Sequence, residues 1–280
     1  MTATDAKLTI GTHTRLFGVI GDPIVHSLSP LMHNTAFRQT GVDAVYLAFH
    51  VKDLPGAVAG FRALNMGGVS VTIPHKVSIM DLLDEVEPMA REIGAVNSII
   101  NQGGHLIGFN SDSPGATAAL SEKTVIKGKR VAVIGAGGAA RAMAHGIRSH
   151  GGRLTIVNRS EARGRQLAEA MDGEFCPLAD FRGDGTDILV NTTSVGMSPD
   201  TDHMPVSRDS LRSGMTVMDM VYNPLETRLL RSAREIGCTV VDGVAMFVHQ
   251  GAIQFERWTG QKAPVALMKK IVLNALTGRA

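Results

Sequence analysis

The stretch from Val131 to Ser160 constrains the fold more than any other. Four apolar residues, Val131-Ala132-Val133-Ile134, run straight into Gly135-Ala136-Gly137-Gly138-Ala139-Ala140-Arg141. Further on, a second apolar run, Leu154-Thr155-Ile156-Val157, ends in Asn158-Arg159-Ser160. Between them Ala139, Ala140, Met143, Ala144 and Ile147 recur at helical spacing. The pattern reads strand, glycine turn, helix, strand, a parallel βαβ unit. Gly135 permits the tight turn out of the strand, Gly137 lets a pyrophosphate approach the backbone, and the small Ala140 lets the helix pack close to the sheet. The first N–H groups of that helix, with its partial positive charge, then face the phosphates.

The end of the second strand bears on which dinucleotide fits. An acid there would accept the adenosine ribose 2′-hydroxyl of NAD, whereas arginine suits the 2′-phosphate of NADP. Positions 157–160 hold no acid, and Arg159 and Arg163 lie one helical turn apart. Arginine's planar fork matches phosphate oxygens, and Asn158 and Ser160 add neutral hydrogen bonds. Glu161 belongs to the first turn of the next helix, where a carboxylate is favoured anyway. The pattern favours NADP over NAD.

A chain of 280 residues, 44% hydrophobic and 19% charged, suits a globular protein of two modest domains or one large one. With a formal charge of +2 and no basic run interleaved with aromatics, no nucleic-acid surface is indicated. Two cysteines, Cys176 and Cys238, argue against a disulfide framework and fit a reducing cytosol; they read as small buried hydrophobes. The opening Met1–Lys7 lacks a basic end followed by an apolar core, so no signal peptide is expected. No run approaches the ~18 apolar residues of a membrane span, and the histidines join no Cys or acidic partners at metal-ligand spacing.

Strand-like and helical patterns alternate along the chain, which argues an α/β fold with parallel strands. Strands are expected at Leu16–Ile20, Ala44–Phe49, Val69–Thr72, Val96–Ile100 and His105–Gly108, the last two flanking Gln102-Gly103-Gly104 as a hairpin. Helices are expected at Pro30–Gln39, Leu54–Leu64, Val77–Leu83, Pro88–Ile93 and Asp112–Glu122. Beyond the βαβ unit, Ile188–Val190, Thr216–Met218 and Thr239–Val241 read as short buried strands, and Ala245–Thr259 and Val265–Leu276 as helices. A dinucleotide unit that starts only near residue 130 implies a separate substrate domain before it.

Polar residues in that first part fall where a site would want them. Ser27 and Ser29 precede Pro30, a favoured first helical residue, so one serine reads as an ordinary N-cap. Two serines at a helix N-terminus can also clasp a carboxylate with both hydroxyls and the helix dipole. Thr72, Pro74 and Lys76 follow the third strand, at the edge of an open α/β sheet where ligands bind. Asn97 and Asn110-Ser111-Asp112 bring amide and carboxylate groups to further strand ends, suited to a hydroxylated substrate.

Taken in order, Gly21-Asp-Pro-Ile-Val-His-Ser-Leu-Ser-Pro30, Val71-Thr-Ile-Pro-His-Lys76, Gly94-Ala-Val-Asn97, Gly108-Phe-Asn-Ser-Asp112 and Gly135-Ala-Gly-Gly-Ala139 closely resemble the shikimate dehydrogenase family. So do Asn191-Thr-Thr-Ser-Val-Gly-Met197, Asp219-Met-Val-Tyr-Asn-Pro224 and Asp242-Gly-Val-Ala-Met-Phe-Val-His-Gln250. The resemblance implies a two-domain α/β fold: an N-terminal α/β substrate domain, a Rossmann-type doubly wound NADP-binding domain, and an active site in the interdomain cleft. The substrate domain would be discontinuous, residues 1–112 and 245–280, with the NADP domain at 113–244. The implied activity is NADPH-dependent reduction of 3-dehydroshikimate to shikimate, towards aromatic amino acids. By the same resemblance Ser27 and Ser29 hold the substrate carboxylate. Thr72, Asn97 and Gln250 contact the substrate, and Tyr222 lies close by. Lys76 and Asp112 form the catalytic pair. Gly135, Ala136, Gly137, Gly138 and Ala139 take the pyrophosphate; Asn158, Arg159, Ser160 and Arg163 surround the 2′-phosphate; Met220 and Gly243 lie along the nicotinamide. No metal is implied, and members of the family are monomers or dimers.

The chemistry suits these residues on its own terms. Hydride arriving at a ketone carbon leaves an alkoxide to be stabilised and protonated, work for an ammonium oriented by a carboxylate. Which of Lys76 and Asp112 transfers the proton stays open at this stage. The chain departs from the family at Ser70, where Asn is usual, and carries Ser98 and Ser111 for the commoner threonines. Serine offers one donor instead of an amide. A relative acting on quinate or an aminated shikimate, or a non-catalytic NADP-binding paralogue, therefore remains a rival reading.

Overall fold

The structure, a computed structural model, describes residues 10–278. The opening Met1–Lys7, read above for a leader pattern, lies outside the described residues. In chain order the elements are β1 (Arg15–Gly21), α1 (Ser29–Thr40), β2 (Ala44–His50), α2 (Leu54–Ala63), β3 (Gly68–Val71), β4 (Glu85–Val86), α3 (Pro88–Ile93), β5 (Ser98–Gln102), β6 (His105–Phe109) and α4 (Asp112–Ser121). Then follow β7 (Arg130–Ile134), α5 (Gly138–Ser149), β8 (Arg153–Asn158), α6 (Glu161–Ala170), β9 (Glu174–Pro177), β10 (Ile188–Asn191), β11 (Thr216–Asp219), α7 (Arg228–Ile236), β12 (Thr239–Val241), α8 (Gly243–Thr259) and α9 (Val265–Thr277).

The chain forms two compact units. Among the described residues the first comprises 10–91, 95–111 and 251–272. Its sheet runs β2-β1-β3-β5-β6-β4 and is mixed, with the expected hairpin set among parallel strands. β1 is parallel to β2 and β3, but β5 runs antiparallel to both β3 and β6. The cause is the Gly103-Gly104 turn, both residues at positive φ, which folds β5 and β6 into the expected hairpin. The registers Ser70↔Ser98 and Ser98↔Phe109 then set the carboxyl ends of β3 and β6 beside the amino end of β5. One sheet edge thus gathers loops from four strands. Beneath it Phe17, Phe37, Tyr46 and Trp258 pack in one aromatic cluster, Phe17 lying 5.4 Å from both Phe37 and Trp258. Trp258 Nε1 donates to the Ile99 carbonyl at 2.9 Å, which fastens the second half of α8 to this sheet.

The second unit comprises residues 92–94, 112–250 and 273–278. Its six strands are all parallel in the order β9-β8-β7-β10-β11-β12. Counted along the chain this is 3-2-1-4-5-6, the doubly wound dinucleotide order, with the topological switch between β7 and β10. Both faces of the sheet are covered, and Val133, Ile156 and Val190 are fully buried. The boundaries sit at Ser111/Asp112 and Gln250/Gly251, so Asp112 and the first turns of α8 cluster with the dinucleotide sheet. Gly115 explains this locally: a Cβ there would stand 2.8 Å from the Gln250 nitrogen, so α4 meets α8 at Gln250 through bare backbone.

Smaller departures have local causes. The segment expected as a helix at Val77–Leu83 is a 3₁₀ helix over Ser78–Leu82. α8 starts at Gly243, ahead of the expected Ala245, because Asp242 Oδ1 accepts from the Val244 and Ala245 nitrogens and caps it. Cys176 and Cys238 are half-buried free thiols, not fully buried hydrophobes. Among the described residues no helix is long and apolar enough to cross a membrane.

Candidate active site

In the first unit the sheet edge is built by short backbone links. After β1, Asp22 N donates to the Ile73 carbonyl at 2.9 Å, and the Asp22 carboxylate meets His50 Nε2 at 2.6 Å. That fixes the loop carrying Ser27 and Ser29. α1 begins at Ser29 itself, so the cap position is Leu28 and no side chain caps the helix. Ser29 is therefore not the N-cap. Instead Ser27 Oγ accepts from Ser29 N at 3.3 Å, which holds the two serines in one turn at the uncapped helix start. After β3, the Thr72 carbonyl accepts from His75 N at 2.9 Å, and buried His75 donates from Nε2 to the Val51 carbonyl at 2.9 Å. Lys76, next in sequence and half-buried, is tied by its carbonyl to Val96 N at 2.8 Å.

Asn97 stands between two strands at this edge. Its carbonyl accepts from Val71 N at 2.7 Å, and its own N–H donates to the Phe109 carbonyl at 3.2 Å. Its side chain, 2% exposed, is oriented by Ser111: Asn97 Oδ1 accepts from Ser111 N at 2.7 Å, and Nδ2 donates to Ser111 Oγ at 2.9 Å. The first unit thus brings together Ser27, Ser29, Thr72, Lys76 and Asn97 at one sheet edge.

The second unit carries the rest. Asp112 is the first residue of α4, with its carboxylate where a helix N-terminus favours negative charge. Gln250 lies across the Gly115 contact from that helix and donates from Nε2 to the Phe247 carbonyl at 2.8 Å. Tyr222 stacks on Phe247 with ring centroids 4.4 Å apart. Met220 N donates to the Asn191 carbonyl at 3.0 Å, and Gly243 opens α8 within contact distance of the Met220–Val221 backbone.

The turn after β7 fits a pyrophosphate. Gly135 has φ +117°, and a Cβ there would stand 2.7 Å from Thr192 Oγ1, so only glycine passes. Gly137 is the N-cap of α5, with no side chain capping the helix and nothing within 4 Å of where its Cβ would be. The first N–H groups of α5 are thus left open to a ligand, along Ala136, Gly138 and Ala139. At the end of β8, Asn158 Nδ2 donates to the Ser160 carbonyl at 2.8 Å and folds the turn that bears Arg159. Arg159 and Arg163 are exposed, and neither joins an ion pair among the described residues, whereas Glu161 pairs with Arg165 at 3.1 Å. The nearest acid is thus engaged, and two guanidinium groups stand ready for a phosphate. No group of three or more His, Cys, Asp or Glu side chains among the described residues could hold a metal ion.

Two groups have roles that sequence reading did not assign. Asp219, fully buried, accepts from Asn191 Nδ2 at 2.9 Å, Val221 N at 3.0 Å and Thr227 Oγ1 at 2.7 Å, tying the loops after β10 and β11. Burial pushes its carboxyl up to about 6, with these three hydrogen bonds opposing. Its place in the quoted Asp219–Pro224 motif was the available signal. Gln254 on α8, 1% exposed, reaches Ser70 and Ser98; no sequence pattern marked it.

Fold and site together define the class: an α/β protein with one unit shaped for a dinucleotide and another gathering polar groups for a small ligand. Residues 19–99 match the shikimate dehydrogenase substrate binding domain, 117–202 the shikimate / quinate 5-dehydrogenase family and 243–273 the shikimate 5'-dehydrogenase C-terminal domain. The chain is 46% identical over 275 residues to the shikimate dehydrogenase (NADP(+)) of Geobacillus sp. (strain WCH70), covering 94% of this chain and 99% of that one. The chain belongs to the shikimate dehydrogenase family. Among solved structures, a shikimate dehydrogenase in complex with NADP+ superposes with TM-score 0.92 at 39% identity, over 96% of this chain and 98% of that one. The Thermus thermophilus enzyme in complex with NADP(H) and shikimate gives TM-score 0.87 at 36% identity, over 94% and 100%.

Proposed function

We propose that this chain interconverts 3-dehydroshikimate and shikimate with NADPH and NADP+ as redox partners. The carrying observation is the convergence of Ser27, Ser29, Thr72, Lys76 and Asn97 on one edge of the first sheet, in the family's order. In this reading the uncapped start of α1 and the two serines bind the ring carboxylate. Thr72, Asn97 and Gln250 hold the hydroxyl groups, and Tyr222 closes one side. The Gly135–Ala139 turn binds the pyrophosphate, Asn158, Arg159, Ser160 and Arg163 bind the 2′-phosphate, and Met220 and Gly243 border the nicotinamide.

When bound, NADPH supplies the hydride. The chain's own contribution is to the oxygen: the Lys76 ammonium stabilises the developing alkoxide and delivers a proton, and the Asp112 carboxylate orients that ammonium. Lys76→Ala is expected to lower kcat about a hundredfold or more with NADP+ affinity intact. Steady-state kinetics check this, and a kcat within about threefold of the parent would overturn the role of Lys76.

A further inference from the structure

Beneath the strand-end groups of the first unit runs a chain of buried side chains that the proposed chemistry leaves unused. Tyr46 on β2 donates its phenolic hydrogen to Ser70 Oγ at 2.6 Å, and Ser70 donates to Gln254 Oε1 at 2.9 Å. From the other side of the same amide, Gln254 Nε2 donates to Ser98 Oγ at 2.7 Å and to Ser111 Oγ at 3.3 Å. Ser98 donates onward to Asn97 Oδ1 at 2.9 Å. None of Tyr46, Ser70, Gln254 and Ser98 is more than 6% exposed. His33 stacks on Tyr46 at 4.5 Å, and burial holds its imidazole neutral, with a pKa of about 3.

The chain has one polarity. Asn97 Oδ1 receives the backbone N–H of Ser111, a group that can only donate, so this amide cannot turn over without losing that bond. Turning the Gln254 amide would leave the Ser70 hydrogen without its acceptor. It would also draw the Ser98 hydrogen away from Asn97. Every hydroxyl hydrogen along Tyr46, Ser70 and Ser98 is spent in one direction, and buried polar groups left unmatched are costly. The hydroxyl at position 70 therefore faces Gln254 and does not donate to a ligand.

We propose that Gln254, held by Ser70 and Tyr46, is a positioning residue for substrate. Through Ser98 and Ser111 it fixes the Asn97 amide with its carbonyl inward, so that a substrate oxygen at this strand end meets an N–H donor. The inference rests on the reading of Asn97 as a substrate-binding residue. Both are tested by shikimate oxidation kinetics on Gln254→Met, Ser70→Ala, Asn97→Ala and the two doubles with Asn97→Ala. Gln254→Met is expected to raise the shikimate KM about tenfold, with the NADP+ KM within about twofold. In the Asn97→Ala background the same change is expected to raise it by about twofold at most, since the two residues act through one contact. An equal rise in both backgrounds, or an unchanged KM in the single variant, would overturn the proposal. Asn97→Ala with the parent's shikimate KM would instead overturn the reading of Asn97 and remove the proposal with it. If Gln254→Met does not unfold cooperatively, Ser70→Ala carries the same cycle, with the same expected loss of coupling.

Discussion

Asp219 offers a quantitative test of how the loops after β10 and β11 are held. Its carboxyl rises from 3.8 to about 6 because burial penalises the anion by more than three hydrogen bonds repay. A group that binds its proton more tightly in the folded state adds stability below its unfolded pKa and loses it as pH rises through the folded one. Asp219 therefore stabilises the fold fully below pH 3.8, and that contribution disappears by about pH 6. A shift of about two units corresponds to about 3 kcal/mol. Asp84 and Asp187 run the opposite way. Backbone hydrogen bonds from Leu106 and Arg130 hold their carboxyls low, so their contributions are lost as pH falls. The measurement must separate these.

Asp219→Asn does so. The variant keeps an oxygen for Asn191 and Val221 and turns an amide N–H toward Thr227, whose hydroxyl can rotate to accept it. Urea unfolding of both proteins from pH 4 to pH 7 gives a difference curve in which other titrating groups cancel. The parent is expected to lose about 2.4 kcal/mol relative to the variant over that window, with most of the loss complete by pH 6. A difference curve flat to within about 0.5 kcal/mol would show that Asp219 is not held as a buried, proton-binding group.

Three further substitutions probe the cofactor side. Gly135→Ala puts a Cβ 2.7 Å from Thr192 Oγ1, which is itself fixed by a 2.6 Å bond to the Ile134 carbonyl, at a φ of +117°. Unfolding measurements should show a loss of about 2 to 4 kcal/mol, and a loss under about 0.5 would contradict the geometry. Gly137→Ala meets nothing within 4 Å and has φ −89°, so stability should hold while the NADP+ KM rises; unchanged affinity would remove the pyrophosphate from this turn. Arg159→Ala should raise the NADP+ KM about tenfold to a hundredfold and leave the NAD+ KM within about twofold, a split that equal losses for both cofactors would contradict.

Much of this was legible in the chain. The βαβ unit at Val131–Asn158 announces itself because strand, turn and helix each carry their own local pattern over contiguous residues. The Gly103-Gly104 hairpin was readable for the same reason. What stayed hidden depends on register or on very short pieces. β4 has two residues and β9 ends in Pro177, so neither shows a period. The antiparallel run of β5 follows from the hairpin, but its place beside β3 is a tertiary choice. Ser70 was visible as a departure from the family, yet its partner Gln254 lies far along the chain and meets it only once α8 is laid on the first sheet. Likewise Ser29 looked like a cap because Pro30 follows it, while the backbone starts the helix one residue earlier.

The central claim is the pairing of substrate and cofactor, and one assay reaches it directly. Purified protein is mixed with shikimate or quinate and with NADP+ or NAD+, and the rise in reduced-nicotinamide absorbance is followed. The account expects kcat/KM to be greatest for shikimate with NADP+, with quinate and NAD+ each weaker by at least about tenfold, the scale of one lost charge-assisted contact. Equal or faster turnover of quinate, a preference for NAD+, or NADP+ binding without any turnover of shikimate would contradict it.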